Sequence, residues 1–122
     1  MAEVVLAIAP DQTDALELTA ETRYRLALSH FDHKRFLEAR AILVKADDRH
    51  EASVALKTTI HNRLKKAAQT HYRNGVKHYI NEDLAAAIAE WEAALVCDPD
   101  HDKARKNIEN ARLLIQKIKT MP

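Results

Sequence analysis

Residues 20–46 recur as residues 68–94, and this repetition restricts the fold more than any other property of the chain. A shift of 48 positions aligns Ala20 with Ala68, Thr22 with Thr70, Tyr24 with Tyr72, Arg25 with Arg73, and His30 with His78. It also aligns Ala39 with Ala87, Ala41 with Ala89, and Ala46 with Ala94. Ala27/Gly75, Leu28/Val76, Phe31/Tyr79 and Phe36/Leu84 keep their size class. Such a period marks one supersecondary unit that cannot bury its apolar face alone and needs neighbours. The unit should be a helical hairpin. With 1 Gly and 3 Pro in 122 residues, the turn chemistry of a sheet protein is missing, and the 47% apolar content is rich in Ala. Only 5% is aromatic, so small aliphatic side chains let helices approach closely.

Taken in order, the chain opens on a short apolar run, Glu3 to Ala9, ended by Pro10. Asp11, with Asp14 behind it, is a plausible N-cap for a helix from about Gln12 to Phe31. A second helix is expected over about Phe36–Ala46, followed by a polar turn at Asp47–His50. From Glu51 to Asn81 there is no Pro, and Gly75 is the only Gly. Leu56, Ile60, Leu64, Ala68, Tyr72, Val76 and Tyr79 recur at helical steps, so one helix of about 30 residues and ~45 Å is expected. A break near Thr58–Thr59 or Gln69–Thr70 is the alternative. Asp83 should cap a helix from Leu84 to Cys97, stopped by Asp98-Pro99. The last helix, about Asp102–Lys119, carries the stripe Ala104, Ile108, Ala111, Ile115 and Ile118.

Gly75, Ala87, Trp91, Ala94 and Pro99 have the spacing small, small, aromatic, small, proline of the tetratricopeptide repeat, which the run DLAAAIAEWEAALVCDPDH resembles. Ala27, Ala39 and Ala46 repeat it more weakly, and Val5 to Pro10 resembles the tail of a further unit whose front is missing. The resemblance implies an all-α fold: antiparallel helix hairpins stacked as a short superhelix with a C-terminal capping helix. It implies one domain over 1–122, with repeat cores 20–46 and 68–99, a partial repeat tail 3–10 and a capping helix 102–119. The chain is expected to be a piece of a larger protein. Two departures from the family's 34-residue unit are surpluses of whole helical turns, so each pair's first helix should simply be lengthened. The third is polar: His71, Asn74 and His78 stand where the family is usually apolar. Ala27, Ala39, Leu43, Gly75, Ala87, Trp91, Ala94 and Pro99 are expected to form the structural core.

The residues do not point to catalysis. There is no Gly-rich phosphate loop, no nucleophile elbow and no acid pair in a recognisable setting, and the helix-end acids are better read as caps. No cofactor is expected. The 7 histidines include no HExxH motif, and the lone Cys97 has no partner thiolate, so no metal site is expected. The shared slot of His30 and His78 suggests a common packing or hydrogen-bonding task. Arg63, Lys65, Lys66, Arg73 and Lys77 suit a solvated face, and a net charge of +1 gives no reason to expect nucleic acid. No apolar run reaches the ~18 residues that would span a bilayer. Charge is nevertheless uneven. Residues 1–21 carry Glu3, Asp11, Asp14, Glu17 and Glu21 and no base, whereas residues 103–119 carry six bases against Glu109. Solvated ends explain this, and head-to-tail stacking is the other reading.

The surface with most to offer is a stripe on the first helix of each pair: Tyr24, Leu28 and Phe31, repeated as Tyr72, Val76 and Tyr79. The resemblance implies that this face lines a concave peptide groove, flanked by Arg25 and Arg73, with Lys103 and Lys106 near its mouth. The same side chains suit core filling equally well. The expected function is a non-catalytic scaffold or adaptor binding a protein or peptide, with homodimerisation or head-to-tail assembly as the alternative. Similarity to tails of bacterial envelope proteins implies a cell-envelope setting.

Overall fold

The computed structural model describes residues 19–122. They form five helices: α1 (Ala20–Asp32), α2 (Phe36–Leu43), α3 (Glu51–Ile80), α4 (Leu84–Cys97) and α5 (Asp102–Lys119). Helix accounts for 80% of these residues, and there is no strand among them. No described helix is long and apolar enough to cross a membrane. Where one domain is expected over 1–122, the chain clusters as two compact units, the first reaching Arg63 and the second spanning Leu64–Pro122.

In the first unit, α1 and α2 pack as a hairpin, and the start of α3 supplies a third helical face. Leu26, Ala27, Ala39, Ile42, Leu43, Leu56 and Ile60 are buried. The helix expected from Gln12 begins instead at Ala20. Thr19 is extended (φ −63°, ψ 158°), and its side chain accepts the amide N–H of Thr22. Gln12 to Leu18, the Asp11 cap and the 3–10 tail lie outside the described residues. Among the described residues, lengthening of a first helix is seen in α3. The second helix ends at Leu43, three residues earlier than expected, where the Ala46 amide bonds the Leu43 carbonyl in a turn.

The second unit contains the rest of α3, then α4 and α5. Its buried cluster is Ala68, Ala87, Trp91, Ala94, Ala104, Ile108 and Ala111, with Tyr72, Val76, Ile88, Leu95 and Cys97 packed around it. α3 is one continuous 30-residue helix, without a break at either pair of expected weak points. Asp83 caps α4 through the Ala86 amide (3.1 Å). Asp98 ends α4 with its backbone N–H on the Ala94 carbonyl. Pro99 is exposed rather than in the core, because it lies past the helix end and its carbonyl accepts from Arg105.

The two hairpin turns are built alike. Lys34 (φ 60°) and Glu82 (φ 63°) both take the left-handed conformation. Behind them the Arg35 and Asp83 amides reach back to the His30 (2.8 Å) and His78 (2.9 Å) carbonyls. These six-to-one bonds, with Lys34 to Phe31 and Glu82 to Tyr79 inside them, satisfy helix-end carbonyls as Schellman closures. The shared slot of His30 and His78 is thus a helix-terminating one. His30 also accepts the Arg35 Nε–H at Nδ1 (2.9 Å). Burial, with Arg35 beside it, lowers the His30 pKa from its ordinary 6.5.

The third helix of each unit starts alike too. The His50 ring accepts the Ser53 amide at Nδ1 (3.2 Å), and the His101 ring accepts the Ala104 amide at Nδ1 (3.2 Å). An amide can only donate, so in both rings the proton sits on Nε2. It meets Glu21 Oε2 (3.1 Å) in the first unit and Gln69 Oε1 (3.1 Å) in the second. Tyr24 packs on His50 (5.7 Å between centroids) and Tyr72 on His101 (5.0 Å).

Candidate functional site

The hairpins differ most where their helices cross. In the first, the aligned positions are Ala27 and Leu43. In the second, those places are taken by Gly75 and Trp91, and both pairs are buried. A Cβ on Gly75 would stand 2.5 Å from Cδ1 and 2.8 Å from Cε2 of the indole. Gly75 is therefore required by the size of Trp91. The indole N–H donates to the Tyr72 carbonyl (3.1 Å), which fixes the ring, 2% exposed, against α3. His71, an odd polar residue in the sequence, pairs across the hairpin with Glu90 (2.7 Å). The matching first-unit positions carry the Arg23 to Ile42 carbonyl contact (3.4 Å).

Over this indole lies an open pocket of about 310 Å³, lined by Tyr72, Val76, Tyr79, Trp91, Asn107 and Asn110. A second, of about 630 Å³, adjoins it through Tyr79 and is lined by Ile80, Glu82, Leu84, Leu114 and Ile118. Together they form a groove between the end of α3 and α5, with an apolar floor and two amide side chains on one wall. Asn107 and Asn110 each offer donors and an acceptor suited to a peptide backbone. The pocket over the indole is lined by no carboxylate or imidazole.

Of the expected site residues, the structure brings together Tyr72, Val76 and Tyr79. Arg73, Lys103 and Lys106 are exposed. In the first unit Tyr24, Leu28 and Phe31 are half-buried, and Arg25 is exposed beside Glu21 (3.0 Å). Hydrogen bonds from Arg25, then His50, lower the Glu21 pKa. Phe31, the counterpart of Tyr79, is covered: the Arg63 guanidinium lies 5.8 Å from its centroid and the Phe36 ring 5.4 Å away. Counting from the capping histidines, the counterpart of Arg63 is Leu114, so this cover has no equivalent in the second unit.

Asn107, Asn110, Leu114 and Ile118 escape a sequence reading that treats the last helix as a solvating cap. Ile118, expected on the buried stripe, is 54% exposed on the groove side. Their spacing of three, four and four residues marks one face, and that signal was available. Among the described residues, no group of three or more His, Cys, Asp or Glu is placed to hold a metal ion. No family model, curated protein or solved structure matches the chain.

Proposed function

We propose that this chain is a non-catalytic protein-interaction module that holds a peptide or protein segment in the groove between α3 and α5. The observation that carries this reading is the difference between two hairpins of one build. In the first, Arg63 and Phe36 cover Phe31. In the second, Tyr79 is 44% exposed, and the groove beside it stands open over a fixed indole. Rigid aromatic surface lends contact area at little entropy cost, and the two asparagines supply backbone pairing. The tetratricopeptide resemblance supports the same face.

The test is a panel of short apolar peptides of acidic, neutral and basic character, titrated into isotopically labelled chain. Saturable shifts at Val76, Asn107, Asn110 and Leu114, lost in Asn110→Arg while the thermal midpoint holds, support the reading. A panel in which no peptide moves those amides sinks it. Self-assembly is the second reading, favoured by exposed Leu114, Ile118 and Ile80 in the groove.

A further inference from the structure

We infer that the cleft between α2 and the first half of α3 is a site for a phosphate monoester, carried on a Ser or Thr side chain of a partner polypeptide. The groove over the indole belongs to the second unit and this cleft to the first, so the inference stands apart from the groove reading. The cleft is a space of about 200 Å³ lined by Arg40 and Val44 of α2 and by Lys57, Ile60 and His61 of α3. Arg40 and Val44 are one turn apart, as are Lys57 and His61, so each pair lies on one face of its helix. Ile60 is buried, Arg40 is half-buried, and Lys57 and His61 are exposed. Three of the five lining side chains are basic and none is acidic.

Glu38, Asp47, Asp48 and Glu51 are close in sequence, but none of them lines the cleft. Glu38 is nearly opposite Arg40 around α2, and Asp47 is paired with Arg49 (3.2 Å). Beyond Glu51, residues 52–80 of α3 carry six Lys or Arg and no Asp or Glu. Arg40 and Lys57 each bring a positive charge. Together they match a phosphate monoester, at about −1.5 to −2 near neutral pH, and exceed a single carboxylate. The planar guanidinium fits two phosphoryl oxygens at once, and its five donors let it serve a phosphate alongside another acceptor. The Lys57 ammonium adds a point charge, and the His61 ring adds an N–H donor. Ile60 and Val44 offer nothing to a free ion. They suit the carbon atoms that carry the phosphate and an aliphatic neighbour in the same segment, and beside them the charges are less screened than in open water.

The test titrates a short peptide with blocked ends and a central Leu-phosphothreonine-Leu into isotopically labelled full chain. Amide signals of Arg40, Val44, Lys57 and His61 should shift saturably, and the affinity should fall as salt is raised. The same peptide with unmodified threonine, or with glutamate in its place, should bind about tenfold more weakly or worse. Lys57→Gln should lose about tenfold in affinity with an unchanged thermal midpoint, and Lys57→Arg should keep most of it. Lys66→Gln, half a turn round α3 from Lys57, should bind as the natural sequence does. No shift with the phosphopeptide, or equal binding of the unmodified one, overturns the inference. Equal losses in Lys57→Gln and Lys66→Gln would mean diffuse attraction to α3 and overturn it too. Inorganic phosphate that shifts the same amides at the same affinity would leave a simple ion site and overturn the polypeptide partner. Shifts at Val76 and Asn110 with apolar peptides, which test the groove, are unaffected by any of these outcomes.

Discussion

Replacing Gly75 by Ala should destabilise the second unit, although Ala is the better helix former. In an open helix interior the change would gain about 1 kcal/mol. Here the new methyl would stand 2.5 Å from Cδ1 of Trp91, and the neighbour is a rigid ring tied to the Tyr72 carbonyl. Overpacking of this kind costs about 1–3 kcal/mol. A ring pushed off its acceptor leaves a buried N–H unpaired, for about 1–3 kcal/mol more. The net effect should be a loss on the order of 1–5 kcal/mol. Urea unfolding followed by far-ultraviolet circular dichroism measures it without relying on the perturbed indole. The decisive variant is Gly75→Ala/Trp91→Leu, which installs the Ala27/Leu43 pair of the first hairpin. It should be more stable than the two single changes sum to, by about 1 kcal/mol or more. A stabilising Gly75→Ala, or strict additivity in the pair, would refute the size-exchange argument.

Lys34→Gly and Glu82→Gly should each stabilise the chain by up to about 1 kcal/mol, because both residues hold a left-handed conformation that costs a side chain but not glycine. Thermal melts showing a gain at one turn and a loss at the other would mean that the turns are not equivalent. Truncating Trp91 to Ala should cost about 3–5 kcal/mol, read from the urea midpoint, and a smaller loss would mean that the indole is not embedded. His30 has a lowered folded pKa, so the unfolded chain takes up a proton first. Its contribution to stability is complete above the ordinary value of 6.5 and is lost as pH falls below it. His30→Gln should flatten the decline of the urea midpoint on acidification beneath pH 6.5, and an unchanged slope would argue against it.

The helical class, the long continuous α3, the Asp83 cap and the α5 limits were all legible, because each rests on local chemistry: period, caps and the scarcity of Pro and Gly. The start of α1 was not. Thr19 is extended and its hydroxyl accepts the Thr22 amide, a cap that the acids at Asp11 and Asp14 drew attention away from. The pairing of His50 with His101 was also hidden. A fixed shift of 48 aligns Glu21 with Gln69 and Tyr24 with Tyr72, but the histidines that meet them are 51 apart. The extra residues fall in the longer α4 and its shorter connection, where a single-offset comparison loses the match. The groove was half legible. Tyr72, Val76 and Tyr79 announce a face, but its opposite wall comes from α5, whose distance from α3 no sequence pattern states. The covering of Phe31 by Arg63 is similarly non-local, and it is the contact that separates a closed copy from an open one.

The indole of Trp91 offers the most direct single test, because it sits at the crossing of the second hairpin and under the open groove. Its ring N–H should exchange slowly with solvent and show nuclear Overhauser contacts to the Gly75 α-protons and the Tyr79 ring, which lies 6.1 Å away between centroids. A fast-exchanging indole without contact to Gly75 would contradict the account.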